Sequence, residues 1–199
     1  MTIHRIRLKD LDAAFIEQLR AESKGDDVEV AIWLPGKPDP AALPENAFWE
    51  IIELLDWEQG KADEVIRPAV THLSQLSASA IQAFQDWLSE KLYMLDGEQY
   101  AAHCGENAYR GPGHPFSADE FLYARCNVVA QGKGFFEKVL NNPEAMPKDL
   151  SFEALLRIAS QAYKMKTGAS FDYQPAYIIE TFANSRGWPN SNFIENLLS

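Results

Sequence analysis

The stretch SADEFLYARCNVVAQGKGFFEKVLNNP, residues 117–143, reads as a helix, a break and a second helix. Ser117-Ala-Asp-Glu120 is a capping box, in which the serine oxygen accepts from the Glu120 amide and the glutamate reaches back to the serine amide. Asp119 and Glu120 also face the positive end of the helix dipole. Phe121, Leu122, Arg125, Val128 and Val129 recur at three- and four-residue spacing, which puts Arg125 on the apolar face. Gln131-Gly132 ends this helix with the glycine in the left-handed position. Phe135, Phe136, Val139 and Leu140 make the stripe of the second helix, and Asn142-Pro143 stops it. Two adjoining apolar stripes of this kind need other helices packed on them.

Those helices are predicted on either side. Towards the C-terminus, Ser151 caps a helix over 152–165 that closes at Thr167-Gly168. The apolar tail (Tyr173, Tyr177, Ile178, Ile179, Phe182, Trp188) predicts a helix around 175–184 and a short one from Ser191. Towards the N-terminus, Asn46 caps a helix through Phe48, Trp49, Ile51, Ile52, Leu54, Leu55 and Trp57. Residues 62–76 give another, with Pro68 inside it, and Ser77 or Ser79 caps the next, through Ile81, Phe84, Trp87, Leu88 and Leu92. A short helix follows from Asp96, and residues 106–115 are a loop rich in glycine and proline. Upstream of Pro35 the period changes. Residues 2–8 and 28–34 alternate as strands do, and a helix capped by Asp10 lies between them. Four prolines in residues 35–44 mark a linker. The expected class is therefore mostly α, a multi-helix globular body at 45–199 with a small N-terminal strand–helix–strand (βαβ) unit at 1–34.

The 199 residues carry a net charge of −11, of which residues 1–44 account for −2. Phosphate binding needs a basic stripe, and Arg5, Arg7 and Lys9 fall short of one, so nucleic acid and anionic membrane surfaces are excluded as partners. No apolar run nears the length of a membrane span, and the first residues lack the pattern of an export signal. Cys104 and Cys126 lack metal spacing and read as reduced thiols of a cytoplasmic protein. His4, His72, His103 and His114 show no metal spacing either. Neither Gly111-Pro-Gly113 nor Gly132-Lys-Gly134 has the spacing of a phosphate loop, and Glu50 and Glu53 read as a solvated face. No catalytic, cofactor or metal constellation is expected.

Several of these motifs fall in one order: Phe48-Trp49 followed by Glu50-Ile-Ile, Tyr93-Met-Leu-Asp96, the cap Ser117–Glu120, Phe121-Leu-Tyr-Ala-Arg125, Gln131-Gly132 and Phe136. In this order the chain resembles, from Phe48 to about Pro143, a bacterial family catalogued as domain of unknown function 4240. It departs from that pattern at Leu95 and Tyr100, where the family tends to carry tryptophan, and in an insertion at 103–115. The resemblance implies a fold and a set of positions, and no activity.

Arg125 on an apolar face needs a carboxylate, because guanidinium does not deprotonate. Asp96 is the expected partner, with Glu106 and Asp119 as rivals. Tyr93, Asp96, Arg125 and Gln131 thus form the candidate cluster, either an internal ion pair or a clamp for an anionic ligand. The functional expectation is a non-enzymatic protein-interaction module, with an immunity or antitoxin role as one form. Its partner would be a protein, another or a second copy as in a homodimer, docked through the N-terminal strands. The alternative is a small-molecule or anion-binding protein, or an enzyme, with a pocket around Arg125.

Overall fold

The computed structural model describes residues 13–22, 39 and 41–189. The chain divides into two compact units, Met1–Leu34 and Pro35–Ser199. In the first unit the described residues form one helix, α1 (Ala13–Glu22), in which Arg20 pairs with Glu17 at 2.7 Å. No strand occurs among the described residues, which corrects the expected class from a body with a strand–helix–strand unit to a mostly helical protein. Period-two alternation marks a chain that can present two faces, but a strand exists only when it is paired, and two strands make a poor sheet alone. Segments 2–8 and 28–34, and the helix expected from Ser191, lie outside the described residues.

The second unit is built from α2 (Glu45–Ile52), α3 (Ala62–Gln75), α4 (Ala78–Met94), α5 (Glu98–Ala101), α6 (Ala118–Ala130), α7 (Lys133–Asn141) and α8 (Ile158–Thr167). Short 3-10 turns at Gly105–Asn107, Pro143–Ala145 and Glu153–Arg157 join them. α6 is the central helix: nine of its thirteen residues are buried, Arg125 among them. It packs on α4 and α7, while α8 lies against α3 and α4. Pro68 lies inside α3 on its exposed side, where the amide it lacks breaks no buried bond. α2 starts after Pro44 rather than at Asn46 and stops at Ile52, leaving Trp57 half exposed. Leu43, inside the proline-rich segment, is packed in the core, and its carbonyl accepts from Trp87 Nε1 at 2.8 Å.

The capping box of α6 forms by half. Ser117 Oγ accepts from the Glu120 amide at 3.2 Å, but the Ser117 amide donates to Asn107 Oδ1 at 2.8 Å instead of to Glu120. Asn107 Nδ2 returns a bond to the Ser117 carbonyl at 3.0 Å, so one asparagine closes the 108–116 loop. Between α6 and α7, Gly132 takes φ 90° with an extended ψ of 173°, a combination that a side chain would strain.

Residues 169–189 are not the helix expected around 175–184. They form an irregular strap. Pro175 and Gly187 disfavour a helix. Side chains of the body take several of the strap's amides and carbonyls, and its own backbone bonds are isolated turns, Ala183 to Glu180, Ser185 to Ala183 and Gly187 to Asn184.

A buried arginine–aspartate seam under the strap

The last turn of α4 leaves carbonyls without helical partners, and the turn after it leads into Asp96. Arg125, one helix away on α6, donates from Nη1 to the Leu92 carbonyl at 2.9 Å, so a cation covers the negative end of α4. Its Nη2 donates to the Ile179 carbonyl at 3.0 Å and to Thr181 Oγ1 at 2.9 Å, both in the strap. Thr181 in turn donates to the Ala118 carbonyl at 2.7 Å in the first turn of α6. The guanidinium also lies 4.8 Å from the centre of the Phe121 ring, a cation–π contact one helical turn back.

Asp96 mirrors this arrangement. Its Oδ1 accepts from the Phe182 amide at 3.1 Å and from Trp188 Nε1 at 2.8 Å. Its Oδ2 accepts from the Asn184 amide at 2.8 Å. The Arg125–Asp96 approach is 4.0 Å, longer than any of these bonds, and both side chains are fully buried. The two ions therefore act less on each other than on the strap between them. Burial draws Arg125 below the usual range of a guanidinium, with the Asp96 charge opposing it.

The rest of the strap is held in the same way. Asp86 accepts from the Ala176 amide at 2.7 Å and from the Tyr173 hydroxyl at 2.8 Å. Ser89 Oγ accepts from the Tyr177 amide at 3.2 Å, and the Glu98 amide donates to the Gly187 carbonyl at 2.8 Å. At Gly187 the backbones touch: a Cβ there would collide with the Asp96 carbonyl oxygen and lie 2.9 Å from the Gly97 Cα. Trp188 completes the closure among Tyr109, Phe116, Phe121 and Phe182, whose ring centres lie 4.5–6.2 Å from its own.

Of the sequence candidates, the structure brings Asp96 and Arg125 together and places Tyr93 at the rim. The Tyr93 ring stacks on Tyr177 at 5.1 Å and its carbonyl accepts from Asn184 Nδ2 at 3.3 Å. Gln131 is elsewhere, exposed and donating to Asn127 Oδ1 at 2.7 Å. Glu106 and Asp119 form no ion pair with Arg125. Asp86, Ser89 and Thr181 were not among the candidates, and Trp188 was read only as part of the apolar tail, although Gly187-Trp188-Pro189 carries a turn signal next to a large aromatic. Cys104 and Cys126 are both free and buried, and burial pushes each thiol up to about 12, far from a reactive thiolate. Among the described residues no cluster of three or more His, Cys, Asp or Glu could hold a metal, and no helix is long and apolar enough to cross a membrane.

A family model described as protein of unknown function (DUF4240) matches residues 43–165, and the chain belongs to that family. Searches of curated proteins and of solved structures returned no match. Asp96 and Arg125 lie inside the matched span, whereas the strap they hold lies beyond its end.

Proposed function

We propose, from the buried seam and the apolar side chains left at the surface, that the protein is a non-enzymatic protein-interaction module. One observation carries the reading. The chemistry-bearing pair, Arg125 and Asp96, is fully buried, and six short hydrogen bonds tie it to the chain's own strap and to α4. A clamp for an anionic ligand needs free donors facing a cavity; of the Arg125 nitrogens only Nε lacks a partner, and it is buried, while two open surface depressions beside α3, of about 420 and 450 Å³, are lined by other residues. Large apolar side chains at the surface supply material for protein contact instead: Trp57, Leu150, Met165 and Ile178 are each about half exposed. The free, buried thiols suit a reducing cytoplasm. A net charge of −11 favours, among protein partners, a basic one, and neutralising a basic toxin as immunity proteins and antitoxins do is one concrete form.

The test is capture on the immobilised full chain from lysate of the source organism, followed by reconstitution from purified components. The reading expects a retained protein that re-forms a complex of fixed stoichiometry. Retention of nothing, together with binding or turnover of a small molecule that is lost in Arg125→Lys, contradicts it.

A further inference from the structure

The body holds the strap mainly by its main chain. Asp86, Ser89 and Asp96 accept from the amides of Ala176, Tyr177, Phe182 and Asn184. Arg125 and the Glu98 amide donate to the carbonyls of Ile179 and Gly187. Almost any sequence offers such groups, so the surface between α4 and α6 suits other non-helical segments as well as the chain's own. Two strap side chains add selectivity. Thr181 Oγ1 sits between Arg125 Nη2 and the Ala118 carbonyl, and the Trp188 indole donates to Asp96 from among Tyr109, Phe116 and Phe121. All of these body residues lie inside the family match at 43–165, and the strap that fills the groove lies outside it. The strap also leaves Arg125 Nε buried without an acceptor, so it does not use the seam in full. Its joint with the body is an exposed turn, where α8 ends at Thr167 and Gly168 takes φ 74°. A strap that lifts at that turn breaks no helix.

We propose that residues 169–189 are a displaceable occupant of this α4–α6 groove, and that a partner protein docks by laying a non-helical segment with a hydroxyl residue and a tryptophan in the strap's place. The strap is then an autoinhibitory contact. While it is seated, a competing segment reaches only the fraction of molecules that are open, and its apparent dissociation constant rises by the inverse of that fraction. A segment whose own backbone bonds are isolated turns opens at a lower free energy than the helices beneath it. This inference rests on the interaction reading and names the surface and the class of partner segment for it.

Fluorescence anisotropy of a labelled synthetic peptide with the sequence of residues 169–189, titrated with the full chain, tests it. Thr181→Val and Trp188→Ala are placed in the chain's own strap, so the groove keeps its wild-type residues and the peptide its native ones. Thr181→Val keeps the shape of the side chain and carries the test if Trp188→Ala does not melt cooperatively. The peptide is expected to bind the wild type weakly, Thr181→Val about tenfold more tightly, and Trp188→Ala more tightly still. A peptide that itself carries Trp188→Ala should bind each chain about tenfold more weakly or worse. No binding to either folded variant, equal affinity for the wild type and both variants, or indifference to the tryptophan of the peptide overturns the proposal. If that happens while the capture experiment still retains a protein, only the displacement fails. If the capture also retains nothing, the interaction reading fails with it.

Discussion

Arg125 and Asp96 are each worth more to the strap than to the other. Replacing Arg125 by Met strands the Leu92 and Ile179 carbonyls and leaves Asp96 a buried charge without a counter-ion, at a cost on the order of 3–5 kcal/mol in urea denaturation. Asp96→Ala should cost a similar amount, because three N–H donors then lose their acceptor. At 4.0 Å the buried ions themselves should couple by about 1–3 kcal/mol in a double-mutant cycle, less than either single loss. A coupling as large as either single loss would mean that the ion pair dominates. Asp86 behaves differently. Burial is the main influence on its carboxyl and raises its pKa, opposed by the Tyr173 hydroxyl and the Ala176 amide. The folded state then binds the proton more tightly than the unfolded chain does, so this contribution is complete below the unfolded pKa and is lost as pH rises through the folded one. From about pH 4 upward, the urea midpoint of Asp86→Asn should therefore fall less steeply than that of the wild type. Parallel profiles would remove Asp86 as a source of pH dependence.

The elements were legible wherever local chemistry decides them. Ser117 caps α6, Ser77 caps α4 through the Ala80 amide at 3.1 Å, and Gly168 closes α8 at φ 74°, all readable from spacing and side-chain type. Ser117→Ala should accordingly cost about 1 kcal/mol. The strap was not legible, because its conformation is imposed by partners some ninety positions away: Asp86 reaches Ala176, and Asp96 reaches Asn184. An apolar tail with helical spacing invites a helix when those acceptors are out of sight. Gly187 records the true arrangement. Its contact with the Asp96 carbonyl leaves no room for a methyl group, so Gly187→Ala should destabilise by about 1–3 kcal/mol, visible as a lowered melting temperature. An unchanged melting temperature would mean that the strap does not press on the α4–α5 turn.

For the Pro35–Ser199 unit, sequence periodicity was enough to place Arg125 on an inward face, and the need of a buried guanidinium for a carboxylate put Asp96 forward, with Glu106 and Asp119 as rivals. Neither revealed that Arg125 and Asp96 serve a third element. A buried charge announces that it needs partners, but main-chain carbonyls and amides leave no mark in the sequence. Gln131 was drawn into the cluster because it follows the same helix, yet it lies six residues on from Arg125, beyond the last turn, and is exposed. The central claim is that the seam exists to hold residues 169–189 on α4 and α6. Native-state hydrogen exchange of the Ala176, Phe182 and Asn184 amides, compared between the wild type and Arg125→Met, tests it most directly. The account predicts that these amides are protected in the wild type and lose protection in the variant before the amides of α3 and α8 do. Strap amides that exchange freely in the wild type, or that keep their protection without Arg125, would contradict it.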